Sequence, residues 1–205
     1  MKINTNTWNK IRYTFITPIY DLIVFFLKES RKKSIESLEN VDNSKVLIIG
    51  AGTGSDLEYL PDNCEIIATD ITPAMVDRII KKNSSLNKNV QVFVMDGQNL
   101  DFPDHSFDIV ILHLILAVIP DPIACIKEAE RLLKRKGQII VFDKFVRKNT
   151  QVSLVRRFLN IFTNFMFSDI TRRFESIVSS TKLLTITDER ANFNGNFRRI
   201  KLIKH

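Results

Sequence analysis

The sequence predicts an α/β fold in a single domain: a mostly parallel sheet, covered by helices on both faces and closed by an antiparallel final strand. Three observations predict it. Short, near-continuous apolar runs alternate with helical stretches, the pattern of strands buried on both sides. The first run, Val46-Leu47-Ile48-Ile49, stops at Gly50-Ala51-Gly52-Thr53-Gly54 and leads into a helix. The last two, Leu183 to Thr187 and Phe197 to Ile203, flank Asn194-Gly195, the strongest short-range signal for a strand reversal.

The intervening elements follow in order. Glu65 to Asp70 is a short apolar run ending in a carboxylate. Thr72-Pro73 then supplies an N-cap and a first-turn proline, which predicts a helix over Ala74 to Lys82 and a polar turn over Asn83 to Asn89. Val90 to Met95 is the next strand, closed by Asp96-Gly97, and Phe107 to His113 is a fourth. Asp121-Pro122 repeats the cap-plus-proline signal and opens a helix expected to reach about Lys136, where Gly137 ends it. Gln138 to Asp143 is the fifth strand. Outside this alternation lie residues 8–41, with Tyr13, Tyr20 and an apolar run from Leu22 to Leu27, and residues 151–180. In the latter, Val155, Phe158, Leu159, Phe162, Phe165 and Met166 share one face of a helix and Arg156, Arg157 and Asn160 the other.

Totals narrow the classes. A chain of 205 residues buries a sizeable core, and 44% hydrophobic with 26% charged residues is ordinary globular composition. The net charge of +7 favours an anionic partner. Cys64 and Cys125 lie far apart without metal or redox spacing, and His105, His113 and His205 have no ligand spacing, so no metal is implied. The N-terminus MKINTNTWNK lacks the apolar core of a secretory signal, and no stretch approaches the roughly 20 apolar residues of a spanning helix. A cytoplasmic protein, at most peripheral to a membrane, is expected. The basic residues are dispersed and no recognition module is visible, which argues against nucleic acid. The sequence says nothing of oligomeric state.

A glycine-rich turn between a strand and a helix lets the backbone approach a ligand and aim its amides at it. Asp70 follows Gly50 by 20 residues at the end of the next strand, where a carboxylate meets ribose hydroxyls, and Asp96 ends the third strand, placed for an adenine edge. The spacing is GxGxG rather than the GxGxxG of dinucleotide enzymes, and the length leaves little room for a second, substrate domain.

With these residues in view, the chain resembles the class I S-adenosylmethionine-dependent methyltransferases over nearly its whole length. The resemblance rests on Gly50 to Gly54, on Asp70-Ile71-Thr72-Pro73-Ala74-Met75, on Met95-Asp96-Gly97, on Phe102 to Asp108, on Val118-Ile119-Pro120-Asp121-Pro122 and on RLLKRKGQIIVFD. It implies a Rossmann-like seven-stranded methyltransferase sheet with N-terminal lid helices. The implied divisions of the single domain, 1–205, are a lid over 1–41, a cofactor-binding core over 42–145, a helical insertion over 146–182 and the final two strands over 183–205. It also implies S-adenosyl-L-methionine as cofactor, with S-adenosyl-L-homocysteine as product. Gly50, Ala51, Gly52, Thr53 and Gly54 would form the loop under its methionine half. Asp70 would bind the ribose, Ile71 would flank the adenine, and Asp96 with Gly97 would reach the adenine amine. The family's first strand usually carries an acid two places before the first glycine; here that place holds Ile48, so backbone carbonyls of the loop or of Leu114 would take the amino group.

For the acceptor, Tyr13 through Pro18-Ile19-Tyr20-Asp21 resembles the N-terminal lid of bacterial phosphatidylethanolamine N-methyltransferases and of ubiquinone/menaquinone methyltransferases. Tyr13 and Tyr20 would close over the cofactor, and His113, at the end of the fourth strand, would accept a proton from the acceptor. The apolar N-terminal run, the amphipathic helix and the basic surplus suit contact with an anionic membrane surface. A lipid or lipid-like acceptor is therefore expected, a phospholipid amine first. A quinone or other small molecule is the alternative, and a non-catalytic cofactor-binding protein is the competing class.

Overall fold

The computed structural model describes residues 5–7, 26–146, 169–191 and 196–205. Residues 26–36 are helical and are called α1. There follow β1 (Lys45–Ile49), a short 3-10 helix (Ser55–Tyr59), β2 (Glu65–Asp70), α2 (Pro73–Leu86), β3 (Val90–Val94) and β4 (Phe107–His113). The chain continues through α3 (Pro122–Leu132), β5 (Leu133–Lys144), α4 (Phe174–Val178), β6 (Leu184–Arg190) and β7 (Phe197–Ile203).

The seven strands form one sheet in the order β3-β2-β1-β4-β5-β7-β6. β1 pairs in parallel with β2 and β4, β2 with β3, and β4 with β5. β7 runs antiparallel between β5 and β6. The chain moves outward from β1 to β3, then returns to lay β4 on the other side of β1. That reversal opens a crevice at the carboxyl ends of β1 and β4, the place where open α/β sheets bind ligands.

Strand alternation sends successive side chains to opposite faces. Val46 and Ile48 of β1 join Ile35 of α1, Leu57, Ile79 of α2, Ile111 and Ile140. Leu47 and Ile49 join Leu112, Ile126 and Ala129 of α3, Val141 and Phe174 of α4. Both faces are therefore dry, which is why these strands read as unbroken apolar runs. β6 is the exposed edge, and its register shifts between Thr185 and Thr187, an irregularity that blunts an open edge.

Two boundaries differ from expectation. α2 runs on through Asn83, Ser84 and Ser85 to Leu86, because Leu86 still packs against the core and Asn87, at φ 53°, closes the helix with its N–H on Asn83 O. α3 stops at Leu132 rather than Lys136. The carbonyls of Arg131 and Leu132 accept the N–H groups of His105 and Ser106, and Leu133 pairs with Phe107. β5 then bulges through Lys136, at φ 62°, before Gln138 pairs with Ile109. Both leucines are fully buried, so a helix and a strand were equally consistent with this stretch. The expected helix over 151–167, the Asn194-Gly195 turn, Tyr13 and Tyr20 lie outside the described residues.

Candidate functional site

The crevice at the end of β1 is a cleft lined by Gly50 and Gly52 below, Asp70, Ile71 and Thr72 on one side, and Asp96 and Gly97 beyond. Leu114, Ile115, Val118 and Ile119 form the facing wall. Gly50, Gly52 and Gly54 all have positive φ, at 68°, 58° and 74°. At Gly50 the need for glycine is doubled, since a Cβ there would lie 2.6 Å from Ile115 Cδ1. Gly97 needs no special φ, but its Cβ would stand 2.6 Å from Ile49 Cγ2, so β1 can approach the turn after β3 only because this residue has no side chain.

Asp70 is buried and holds the loop in place. Its Oδ2 accepts the Gly52 N–H and its Oδ1 the Thr72 N–H, both at 2.9 Å. Burial pushes its carboxyl up, and these backbone amides oppose the shift. Thr72 stands at the N-cap of α2 as expected, yet its hydroxyl makes no cap bond. Asp121, by contrast, caps α3 as its sequence predicts, accepting the N–H groups of Ile123 and Ala124 at 3.0 Å.

Asp96 sits at the far end of the cleft. It accepts the side-chain amide of Asn6 at 2.5 Å and both the backbone and side-chain N–H groups of Gln98. Gln98 in turn accepts the N–H of Asp121, tying this corner to α3. Asn6 lines the cleft as well, so the N-terminal segment reaches the site across 90 residues of sequence. No local signal marked it.

The wall from Leu114 to Ile119 is held from behind. Leu114 is left-handed at φ 60° and donates to Phe142 O at 2.8 Å. Asp143, fully buried at the end of β5, accepts the Ala117 N–H at 2.8 Å and its neighbour's N–H at 2.7 Å, while Arg172 donates to Leu116 O. Burial pushes the Asp143 carboxyl up. Sequence reasoning read this residue only as a strand end.

His113 does not enter the cleft. It is 3% exposed. Its Nδ1 meets Asp56 Oδ1 at 2.8 Å, and its Nε2 meets Ser34 Oγ at 3.0 Å. Asp56 also accepts from Arg31 Nη1 at 2.7 Å. Burial alone would raise the Asp56 carboxyl, but the charges and hydrogen bonds of Arg31 and His113 outweigh it and hold it well below the usual carboxylate range. The expectation that His113 takes a proton from an acceptor is corrected accordingly: both ring nitrogens are engaged and the side chain is sealed from the cleft. What His113 does is tie the end of β4 to α1, through Ser34, and to the 3-10 helix after the glycine loop, through Asp56.

Of the remaining loop residues, Ala51 is buried with its N–H on Thr69 O, and Gly54 precedes the 3-10 helix. Thr53 faces a separate cavity. Ile48 lies in the core beside Ala51 and Leu57, an apolar side chain where the family pattern has an acid. Among the described residues no group of three or more His, Cys, Asp or Glu is placed to hold a metal ion. Both cysteines are buried free thiols.

A seven-stranded sheet with this order, one antiparallel strand and a glycine-floored cleft at the switch point is the fold of class I methyltransferases. Residues 47–141 match the family described as methyltransferase domain. The chain carries an S-adenosylmethionine-dependent methyltransferase domain. It is 27% identical over 148 residues to phosphatidylethanolamine N-methyltransferase of Cereibacter sphaeroides, covering 71% of this chain and 73% of that protein. It is 29% identical to the ubiquinone/menaquinone biosynthesis C-methyltransferase of Rickettsia prowazekii, over 49% of this chain and 44% of the relative. A solved S-adenosylmethionine-dependent methyltransferase from Aquifex aeolicus superposes with a TM-score of 0.63 at 17% identity, over 84% of this chain and 89% of the other, a likeness of fold.

The cleft suits the cofactor. Its apolar walls, Ile71 and Met95 with Leu114 to Ile119, leave space flanked by a carboxylate at each end, and its floor carries no side chain at Gly50 or Gly52. When bound, the cofactor supplies an electrophilic methyl group on a sulfonium. Asp70 and Asp96 are the titratable side chains among the described lining residues. The chain's own task would then be to align the reacting groups and exclude water, with the apolar wall beside them.

Proposed function

We propose that this enzyme methylates a lipid or lipid-like small molecule, with a phospholipid amine of the phosphatidylethanolamine type first. The observation carrying this reading is the likeness to a phosphatidylethanolamine N-methyltransferase over more than two thirds of both chains, together with a cleft whose facing wall is entirely apolar from Leu114 to Ile119. An amine acceptor needs alignment rather than a strong base, which accords with His113 being withdrawn into the core.

In this proposal Gly50 and Gly52 lie under the methionine half of the cofactor, with Ala51, Thr53 and Gly54 shaping their turn. Asp70 keeps lone pairs for the ribose hydroxyls after accepting one amide on each oxygen. Ile71 flanks the adenine, and Asp96 with Gly97 receives the adenine amine beside Asn6. The Leu114 carbonyl takes the amino group in place of an acid at Ile48. Tyr13 and Tyr20 belong to a lid that closes over the cofactor. The protein works in the cytoplasm, at or beside an anionic membrane surface. No helix among the described residues is long and apolar enough to cross a membrane.

A quinone or other small-molecule acceptor is the second reading, favoured by the likeness to the quinone C-methyltransferase. The test supplies methyl-labelled S-adenosylmethionine with vesicles of phosphatidylethanolamine and an anionic lipid, or with a soluble metabolite extract. Label extracted with the lipid supports the proposal. Label confined to the soluble pool refutes it in favour of the second reading, and cofactor binding without turnover on either assigns the chain to binding alone.

A further inference from the structure

Leu114 lines the cleft directly after β4 and stands at φ 60°. A left-handed conformation costs a leucine free energy and persists only where the surroundings hold it. Its own N–H donates to Phe142 O on β5 at 2.8 Å. Its side chain packs against the cluster of Leu27, Phe142 and Phe197. The residue before it, His113, is bound at both ring nitrogens, to Asp56 Oδ1 at 2.8 Å and to Ser34 Oγ at 3.0 Å. The imidazole also lies edge-on to the Phe142 ring, with centroids 5.8 Å apart. Because Asp56 stays ionised, His113 Nδ1 carries the proton and donates to it, which fixes the orientation of the ring.

The first strand offers the cleft no acid, since Ile48 is apolar and buried in the core. Asp56, on the 3-10 helix after the glycine loop, is buried and turned to Arg31 and His113, so its charge does not serve the cleft either. A carboxylate attracts an ammonium group over several ångströms, whereas a carbonyl binds one only at hydrogen-bond distance and angle. A site that relies on a carbonyl therefore depends on how firmly its backbone is held. We propose that His113 is a positioning residue for the cofactor: clamped between Asp56 and Ser34, it holds the Leu114 carbonyl where the amino group of the methionine half is received. The inference rests on the reading that this carbonyl takes the amino group in place of an acid at Ile48. His113 touches neither cofactor nor acceptor and moves no proton; it acts through the peptide bond that joins it to Leu114. Ser34 belongs to α1, which packs on the sheet through Ile35, so the same clamp makes this end of the cleft depend on α1 being docked.

The test is calorimetry of the full chain with S-adenosylhomocysteine, with its analogue lacking the amino group, and with methylthioadenosine, which lacks the whole amino-acid part. H113L removes both ring hydrogen bonds and keeps an apolar side chain, while H113N keeps an N–H donor toward Asp56 in the place of Nδ1. H113L should bind S-adenosylhomocysteine about tenfold more weakly, the size expected when a left-handed leucine is no longer held in place. Its affinity for the other two ligands should change less than about twofold. H113N should regain most of the loss. S34A cuts only the bond at Nε2 and should lose about threefold on S-adenosylhomocysteine alone, and it carries the test if circular dichroism shows H113L unfolded. The proposal is overturned if the variants weaken all three ligands alike, or none, since His113 then serves only the stability of the fold. A wild type that binds the analogue without the amino group as tightly as S-adenosylhomocysteine refutes the carbonyl reading itself. Discrimination by the wild type that persists unchanged in H113L and S34A refutes only the role of His113, so the two failures are told apart.

Discussion

Replacing Asp56 by alanine removes the one carboxylate that Arg31 and His113 share in the core. Asp56 is 2% exposed and Arg31 3%, with 2.7 Å between their charged atoms. The variant takes from a buried guanidinium the carboxylate it meets among the described residues, a loss of about 3–5 kcal/mol in comparable buried pairs. Coulomb's law agrees in size, giving roughly 4 kcal/mol for charges 4 Å apart at an effective dielectric constant of 20. Because domains are stable by only about 5–15 kcal/mol, D56A should unfold at a much lower urea concentration. Urea titration followed by circular dichroism measures the change. A loss under about 1 kcal/mol, the value for an exposed pair, would refute the reasoning. The double variant R31M/D56L should recover only part of the loss: hydrophobic replacement of an ion pair is often neutral, but the buried His113 Nδ1 is left without its Asp56 partner. The pH dependence carries a sign. The folded-state pKa of Asp56 is depressed, so its contribution is complete above about pH 5 and is lost as pH falls below the unfolded value of ~3.9 toward the folded one. Wild-type stability should therefore fall more steeply with acid than that of D56A.

G50A places a side chain on a left-handed backbone, costing about 1–2 kcal/mol, and drives a methyl into Ile115 on the cleft wall. Calorimetry should find S-adenosylhomocysteine bound at least about tenfold more weakly, the equivalent of ~1.4 kcal/mol. D70N turns one acceptor into a donor opposite the Gly52 or Thr72 amide, a hydrogen bond to a charged group worth about 1.5–3 kcal/mol. Affinity for the same ligand should fall about ten- to hundredfold, and unchanged binding would remove Asp70 from the cofactor site.

The order of elements was legible along the chain because both faces of the sheet are covered. Val46 to Ile49 and Ile109 to Leu112 must be apolar throughout, and such runs between Gly, Pro and Asn signals have few other readings. The candidate cleft was legible for the same local reason: Gly50, Gly52, Asp70, Asp96 and Gly97 each sit at or just after a strand end, a position the strand pattern itself marks. Where two states fit one apolar pattern, as at Leu132 and Leu133, the sequence could not choose, and pairing of Leu133 with Phe107 decided it.

Everything that depends on a partner distant in sequence was settled by the tertiary structure. His113 could be placed at the end of a strand, but Ser34 and Asp56, 79 and 57 residues away, complete its hydrogen bonding and withdraw it from the cleft. Asn6 reaches Asp96, and Asp143 with Arg172 braces the wall at Leu116 and Ala117, with nothing local to announce either contact. The physical reason is range. Backbone preference and apolar periodicity act over a few residues and are written in sequence, whereas a hydrogen bond or a buried charge pair is set by which surfaces the sheet brings together.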